Sequence, residues 1–190
     1  MADLWRVLRP AHKTGRVYFA AYCPPGDGDR MGFPKIAVLP PLEGTSGLAA
    51  VQGIFRNSGG ILVREDADGI IRVIIGHVSE AVLHTPIARL ELNPESQYND
   101  WIAIDSIRFS AEIKKATSDL GLRTPNKFYF MPVQAPIETL PHLPALVSNV
   151  TMDQALDLVA KTFQVIVLYG ACKNSNLYDI TYFYGWIPPT

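Results

Sequence analysis

Thr151-Met152-Asp153-Gln154-Ala155-Leu156-Asp157-Leu158-Val159-Ala160-Lys161-Thr162-Phe163, followed closely by Val165-Ile166-Val167-Leu168-Tyr169, decides the fold. Met152, Ala155, Leu156, Val159, Ala160 and Phe163 recur at i, i+3, i+4, i+7, i+8 and i+11, the spacing of one helix face. Thr151 and Gln154 open that helix as a capping box, the hydroxyl and the amide satisfying backbone donors that lack a partner in the first turn. The β-branched run behind it predicts a strand, and a turn at Lys173-Asn174-Ser175-Asn176 leads to a second strand over 178–184. With a short apolar segment over 144–150 in front, the order is strand, helix, strand, strand.

The same grammar is found nearer the start. Residues 16–23 are aromatic and β-branched and stop at Pro24-Pro25-Gly26, and 35–39 form a short apolar strand ended by Pro40-Pro41. Leu48, Val51 and Phe55 set a helix face that runs to about Asn57-Ser58, and 61–65 and 70–75 form a hairpin around Asp66-Ala67-Asp68-Gly69. An offset of 108 places Leu48, Val51 and Phe55 on Leu156, Val159 and Phe163, so the expectation is α+β, with two βαββ-like units from an internal duplication. Coincidence between two common βαββ patterns is the alternative.

A helix-containing middle joins the units. Asn99 or Asp100 caps that helix, Ile102, Phe109, Ile113, Ala116 and Leu120 form its seam, and Gly121-Leu122 stop it. Further strands are expected over 87–92, with Ala88, Leu90 and Leu92 on one side, and over 127–133. The expected division is 1–131, a Pro-rich connector over 132–143, and 144–190. Units this small are near the lower limit for independent folding and are expected to pack together.

Composition narrows the function. The chain has 190 residues, 48% hydrophobic, with 17 basic and 18 acidic side chains. A net charge of -1 argues against nucleic-acid binding through phosphate neutralisation. No apolar run reaches the roughly 18 residues that cross a membrane. Cys23 and Cys172 either pair in an oxidising compartment, closing a loop worth about 4–5 kcal/mol, or stand as separate buried thiols.

The stretch Val150-Thr151-Met152-Asp153-Gln154-Ala155-Leu156-Asp157-Leu158-Val159-Ala160 resembles the short N-terminal domain shared by secretins and TonB-dependent receptors. That family shows the pattern V-T-hydrophobic-x-x-A-L-x-x-hydrophobic followed by two short strands. The resemblance covers 144–184 and, more weakly, 33–76, where Gly47-Leu48 stands in place of Ala-Leu. It implies a bacterial cell-envelope location and a protein partner. The role is docking, and no cofactor is implied. No barrel or secretin region follows, so only the module is carried over. The expected compartment is periplasmic if a signal peptide has been removed, and cytoplasmic otherwise.

Catalytic signals are weak. His12, His77, His84 and His142 show no HxxxH or HxH spacing, and no nucleophile elbow or phosphate loop occurs. Asp66-Ala67-Asp68-Gly69 resembles the start of a calcium loop without its closing Glu, and a hairpin turn accounts for it. Tyr178, Ile180, Tyr182, Tyr184 and Trp186 fall on one face of the last strand, either packed on the 152–163 helix or offered to a partner strand at a sheet edge. The rivals to an interaction module are a small hydrolase using Cys172 or an unrecognised carboxylate pair, and a small-ligand binder using the aromatic face.

Overall fold

A computed structural model describes residues 1–23, 31–124, 141–172 and 175–183, with residues 182 and 183 in backbone only. The expected strand over 127–133 and most of the Pro-rich connector lie outside the described residues. The fold is α+β. Its centre is a five-stranded mixed sheet containing β1 (Gly15–Ala21), β2 (Ile61–Glu65), β3 (Ile71–Ile75), β6 (Ile166–Cys172) and β7 (Tyr178–Phe183), in the order β2-β3-β1-β6-β7. β4 (Pro86–Glu91) and β5 (Leu146–Thr151) form a separate antiparallel ribbon.

β1 is the middle strand, parallel to both of its neighbours, with Arg16 level with Arg72 on β3 and Val167 on β6. Segments from the two ends of the sequence therefore share one sheet. Every residue of β1 is buried, as expected of a strand covered on both faces. Val17, Phe19 and Ala21 join a core closed by α1 (Ala2–Leu8) and α2 (Gly47–Ile54). Tyr18 and Ala20 face the other core, beneath α6 (Met152–Phe163) and α4 (Asp100–Arg108).

The capping box on α6 is formed: the Gln154 N–H donates to Thr151 Oγ1 at 3.2 Å and the Thr151 N–H to Gln154 Oε1 at 2.8 Å. The N–H groups of Met152 and Asp153 donate to the carbonyls of Thr85 and Leu83, each at 3.0 Å. The ribbon and the turn before it thus satisfy donors the first helical turn cannot use. In the hairpin, Asp66 Oδ1 accepts from the N–H groups of Asp68 and Ile70, and Gly69 adopts the left-handed φ of 77° that the turn needs.

Several expectations are corrected. Residues 35–39 are extended but join no sheet; the Leu39 N–H, donating to Ile54 at 2.9 Å, and the Ala37 carbonyl, accepting from Ser58 Oγ at 2.7 Å, tie their backbone down, and Pro34, Pro40 and Pro41 deny the flanks further donors. The middle helix is broken. α3 (Pro94–Tyr98) precedes α4, and α5 (Ala111–Asp119) begins after an extended Ser110. That break shifts the helical phase, so the core takes Ala103, Ile104, Ile107 and Ile113, while Phe109 and Leu120 are about half exposed. The expected stop at Gly121-Leu122 is present as a Schellman motif, with Leu122 N–H on Thr117 and Gly121 N–H on Ser118. In β4, Ile87 and Leu90 both face the core and Ala88 is exposed, because left-handed Asn149 (φ 55°) interrupts the ladder opposite Ala88 and slips the alternation.

The duplication is not reproduced in the architecture. The segment over 35–39, which leads the first unit at the offset of 108, joins no sheet, whereas β5, which leads the second, pairs with β4. The helices α2 and α6 cover opposite faces.

Gly170 stands level with Phe19, whose ring lies over it; a Cβ there would be 2.7 Å from Phe19 Cε2. Gly170→Ala is expected to lose about 1–3 kcal/mol of stability in urea unfolding, with much of it regained when Phe19→Leu is added. Additive losses in the double variant would show that the ring does not set the requirement for glycine.

Candidate functional site

The last strand is where the sequence places its surface anchors, yet Tyr178 and Ile180 are buried, at 2% and 0% exposure. They pack in the core beneath α6 and α4, where burial pushes the Tyr178 hydroxyl up against the opposing pull of Arg108 and Thr117. Tyr182 is described in backbone only, paired with Val167, and Tyr184 and Trp186 lie outside the described residues. Among the described residues β7 ends the sheet, but Arg123 runs beside its start, its carbonyl accepting the Tyr178 N–H at 3.1 Å. The site expected there is therefore not brought together as an open edge.

Cys23 and Cys172 are joined by a disulfide, with Cα atoms 5.8 Å apart. Cys172 ends β6 level with Ala21 on β1, so the bond clips the ends of adjacent strands. A bonded Cys172 has no thiolate to offer as a nucleophile.

A charged cluster that the sequence reading missed lies between α6 and the sheet. Asp153 and Asp157 are one helical turn apart, above Arg16 and Arg72 on neighbouring strands. Arg16, fully buried, donates to Asp157 Oδ1 at 2.6 Å, to Asp153 Oδ1 at 2.9 Å and to the Asp153 carbonyl at 2.9 Å. Arg72 donates to Asp153 Oδ2 at 3.0 Å, to Asp157 Oδ2 at 2.5 Å and, through Nε, to Asp66 Oδ2 at 3.0 Å. The Tyr18 hydroxyl donates to Asp153 Oδ1 at 2.9 Å and accepts from Arg72. Burial raises the Asp157 carboxyl above the usual range despite both guanidinium groups, and burial likewise lifts the Tyr18 hydroxyl well above an ordinary tyrosine. With these carboxylates held by guanidinium groups, the arrangement acts as a lock between helix and sheet. The available signal was one arginine inside each of two apolar strands and two aspartates at i, i+4 on the helix.

Two features remain open to a partner or ligand. The first is β2, at the other end of the sheet. Gly76 N–H donates to Gly60 and Asp66 N–H to Ile70, so by alternation Leu62 and Arg64 bond inward to β3, and Ile61, Val63 and Glu65 turn their backbone groups outward. Among the described residues β2 pairs only with β3, and the Leu62 side chain is 55% exposed. The second is a cavity of about 460 Å³ on the sheet face away from α6. Val17, Phe19, Ile75 and Leu168 line its floor, and Phe33, Ile36 and Val38, on the extended segment, cover it.

Set against models of protein families, curated proteins and solved structures, the chain matches none.

The lock gives a pH-dependent expectation. Arg16→Met leaves two buried carboxylates sharing Arg72 and should cost about 3–5 kcal/mol near neutral pH. An Asp157 pKa raised in the folded state means stability is fully present below the unfolded value and is lost as pH rises through the folded one. The deficit should therefore shrink between about pH 7 and about pH 4 in urea titrations of variant and wild type. A deficit that grows on acidification would contradict this account of Asp157.

Proposed function

We propose that the protein is a non-catalytic protein-interaction module of a bacterial cell-envelope assembly, receiving an extended partner segment along β2. The observation that carries this reading is the open outer edge of β2. The N–H groups of Ile61, Val63 and Glu65 and the carbonyls of Ile61 and Glu65 lie in a row, the arrangement by which a sheet accepts an added strand, while the Val63 carbonyl takes a long bond of 3.5 Å from Gln52 Nε2 that an incoming strand would replace. The exposed Leu62 offers an apolar side-chain contact beside that row. The resemblance at 150–160 supports docking as the role. The Cys23–Cys172 disulfide supports an oxidising compartment such as the periplasm.

The outward N–H of Val63 allows a selective test. Proline there spares the ladder to β3, because proline is tolerated on an edge strand where its missing donor would face solvent. A photo-crosslinking residue at Leu62 in the oxidised protein should yield a discrete adduct with an envelope protein. Val63→Pro should reduce that adduct at least about tenfold while unfolding stays cooperative, and Val63→Ala should leave it largely intact. Recovery of monomer alone from cross-linked envelope preparations would overturn the reading.

A further inference from the structure

The cavity over the sheet has no part in strand addition, and no residue of β2 lines it. Its volume, about 460 Å³, lies within the range of about 300–1,000 Å³ usual for small-molecule sites. Among the described residues no charged side chain lines it, and Thr181 on β7 supplies the one hydroxyl. That hydroxyl makes no hydrogen bond among the described residues. Water filling such a space, on the order of fifteen molecules at ~30 Å³ each, would face walls offering almost no hydrogen bonds.

The cover carries a second indication. Phe33 is 59% and Val38 37% exposed, although both line the cavity. The segment bearing them is pinned at its ends: Gly32 N–H donates to Tyr22 at 3.0 Å, Ser58 Oγ to the Ala37 carbonyl at 2.7 Å and Leu39 N–H to Ile54 at 2.9 Å. Between the pins, 33–36 make no hydrogen bond to the described residues, so this span can adjust to an occupant. Phe33 meanwhile stacks on Phe19 of the floor, ring centroids 4.8 Å apart.

We propose that this cavity binds a neutral, apolar small molecule of medium size carrying a single hydrogen-bonding group, which pairs with Thr181 Oγ1. An ionised group taken inside would meet no charged side chain among the described lining residues and would lose much of its hydration. The apolar body displaces water from the floor and from the exposed faces of Phe33 and Val38, and apolar burial supplies the driving force.

The oxidised full chain can be titrated with the neutral dye N-phenyl-1-naphthylamine, whose fluorescence rises in apolar surroundings, and the bound dye displaced with 1-decanol, decanoate or decylammonium. The expected result is saturable one-to-one binding, with decanol displacing the dye at concentrations at least about tenfold below either ion. Two variants fill the cavity from opposite walls, Ile36→Trp from the cover and Thr181→Phe from the floor. Either, if still cooperatively folded, should weaken dye binding about tenfold or more. Thr181→Val, if still cooperatively folded, should raise the decanol needed about three- to tenfold after allowance for its own dye affinity. Absence of a saturable signal, wild-type dye binding in both folded filling variants, or equal displacement by the ions would overturn the proposal. Val63→Pro should bind the dye like wild type, so this site and the β2 edge fail or stand separately.

Discussion

A guanidinium group fully enclosed at the centre of the sheet is the constraint around which the molecule is arranged. Arg16 sits on β1, the strand buried on both faces, where an unpaired charge would cost several kcal/mol. Its neutralisation requires carboxylates above the sheet at a fixed height, and α6 supplies them from consecutive turns. Arg72, level with Arg16 on the next strand, engages the same two aspartates and reaches Asp66 in the β2–β3 turn. One network thus fixes the rotation of α6, its position along β1 and the seating of the hairpin. The apolar contacts of Leu156, Val159 and Ala160 are compatible with small slides and rotations of the helix; the paired charges are not.

Where local chemistry decided the outcome, the structure could be read from the residues. The capping box of Thr151 and Gln154, the Schellman stop at Gly121-Leu122 and the Asp66–Gly69 turn each depend on groups within a few positions of one another, and all three form. Reading failed where a distant partner decided. Residues 35–39 have the composition of a strand but lie across the sheet face with no strand beside them. Phe109 and Leu120 fit a continuous helical seam that the bend at Ser110 dissolves. Asn149 resets the alternation of the strand it faces. Each depends on the path of the chain in three dimensions, on which periodicity is silent.

Site residues divide the same way. Tyr178 and Ile180 form an aromatic and aliphatic face at the end of the sequence, and the core claims them because α4 and α6 close over β7. The open edge belongs to β2, whose run Ile61-Leu62-Val63 is as apolar as that of an interior strand. Which strand ends a sheet is a property of strand order, and the order here joins strands from both ends of the chain. The cavity likewise has no local signature, since its lining comes from α1, the extended cover and four strands. Lone arginines and paired aspartates could have been noticed, but only their register across β1 and β3 shows that they meet.

Strand order also sets the sequence of events by which the molecule is built. β1 pairs with β6, about 150 residues further along, and no nearer strand occupies that side of it. Contacts this distant are slow to form, because a large loop must close before they return any stabilisation. A growing chain therefore carries β1 half-covered, with Val17 and Phe19 lacking their floor neighbour Leu168, until β6 has emerged and docked. Only then do Cys23 and Cys172 come within bonding range. The disulfide is in this sense a record of completion: it marks a chain in which both ends have found each other, and it holds in place the pairing that took longest to make.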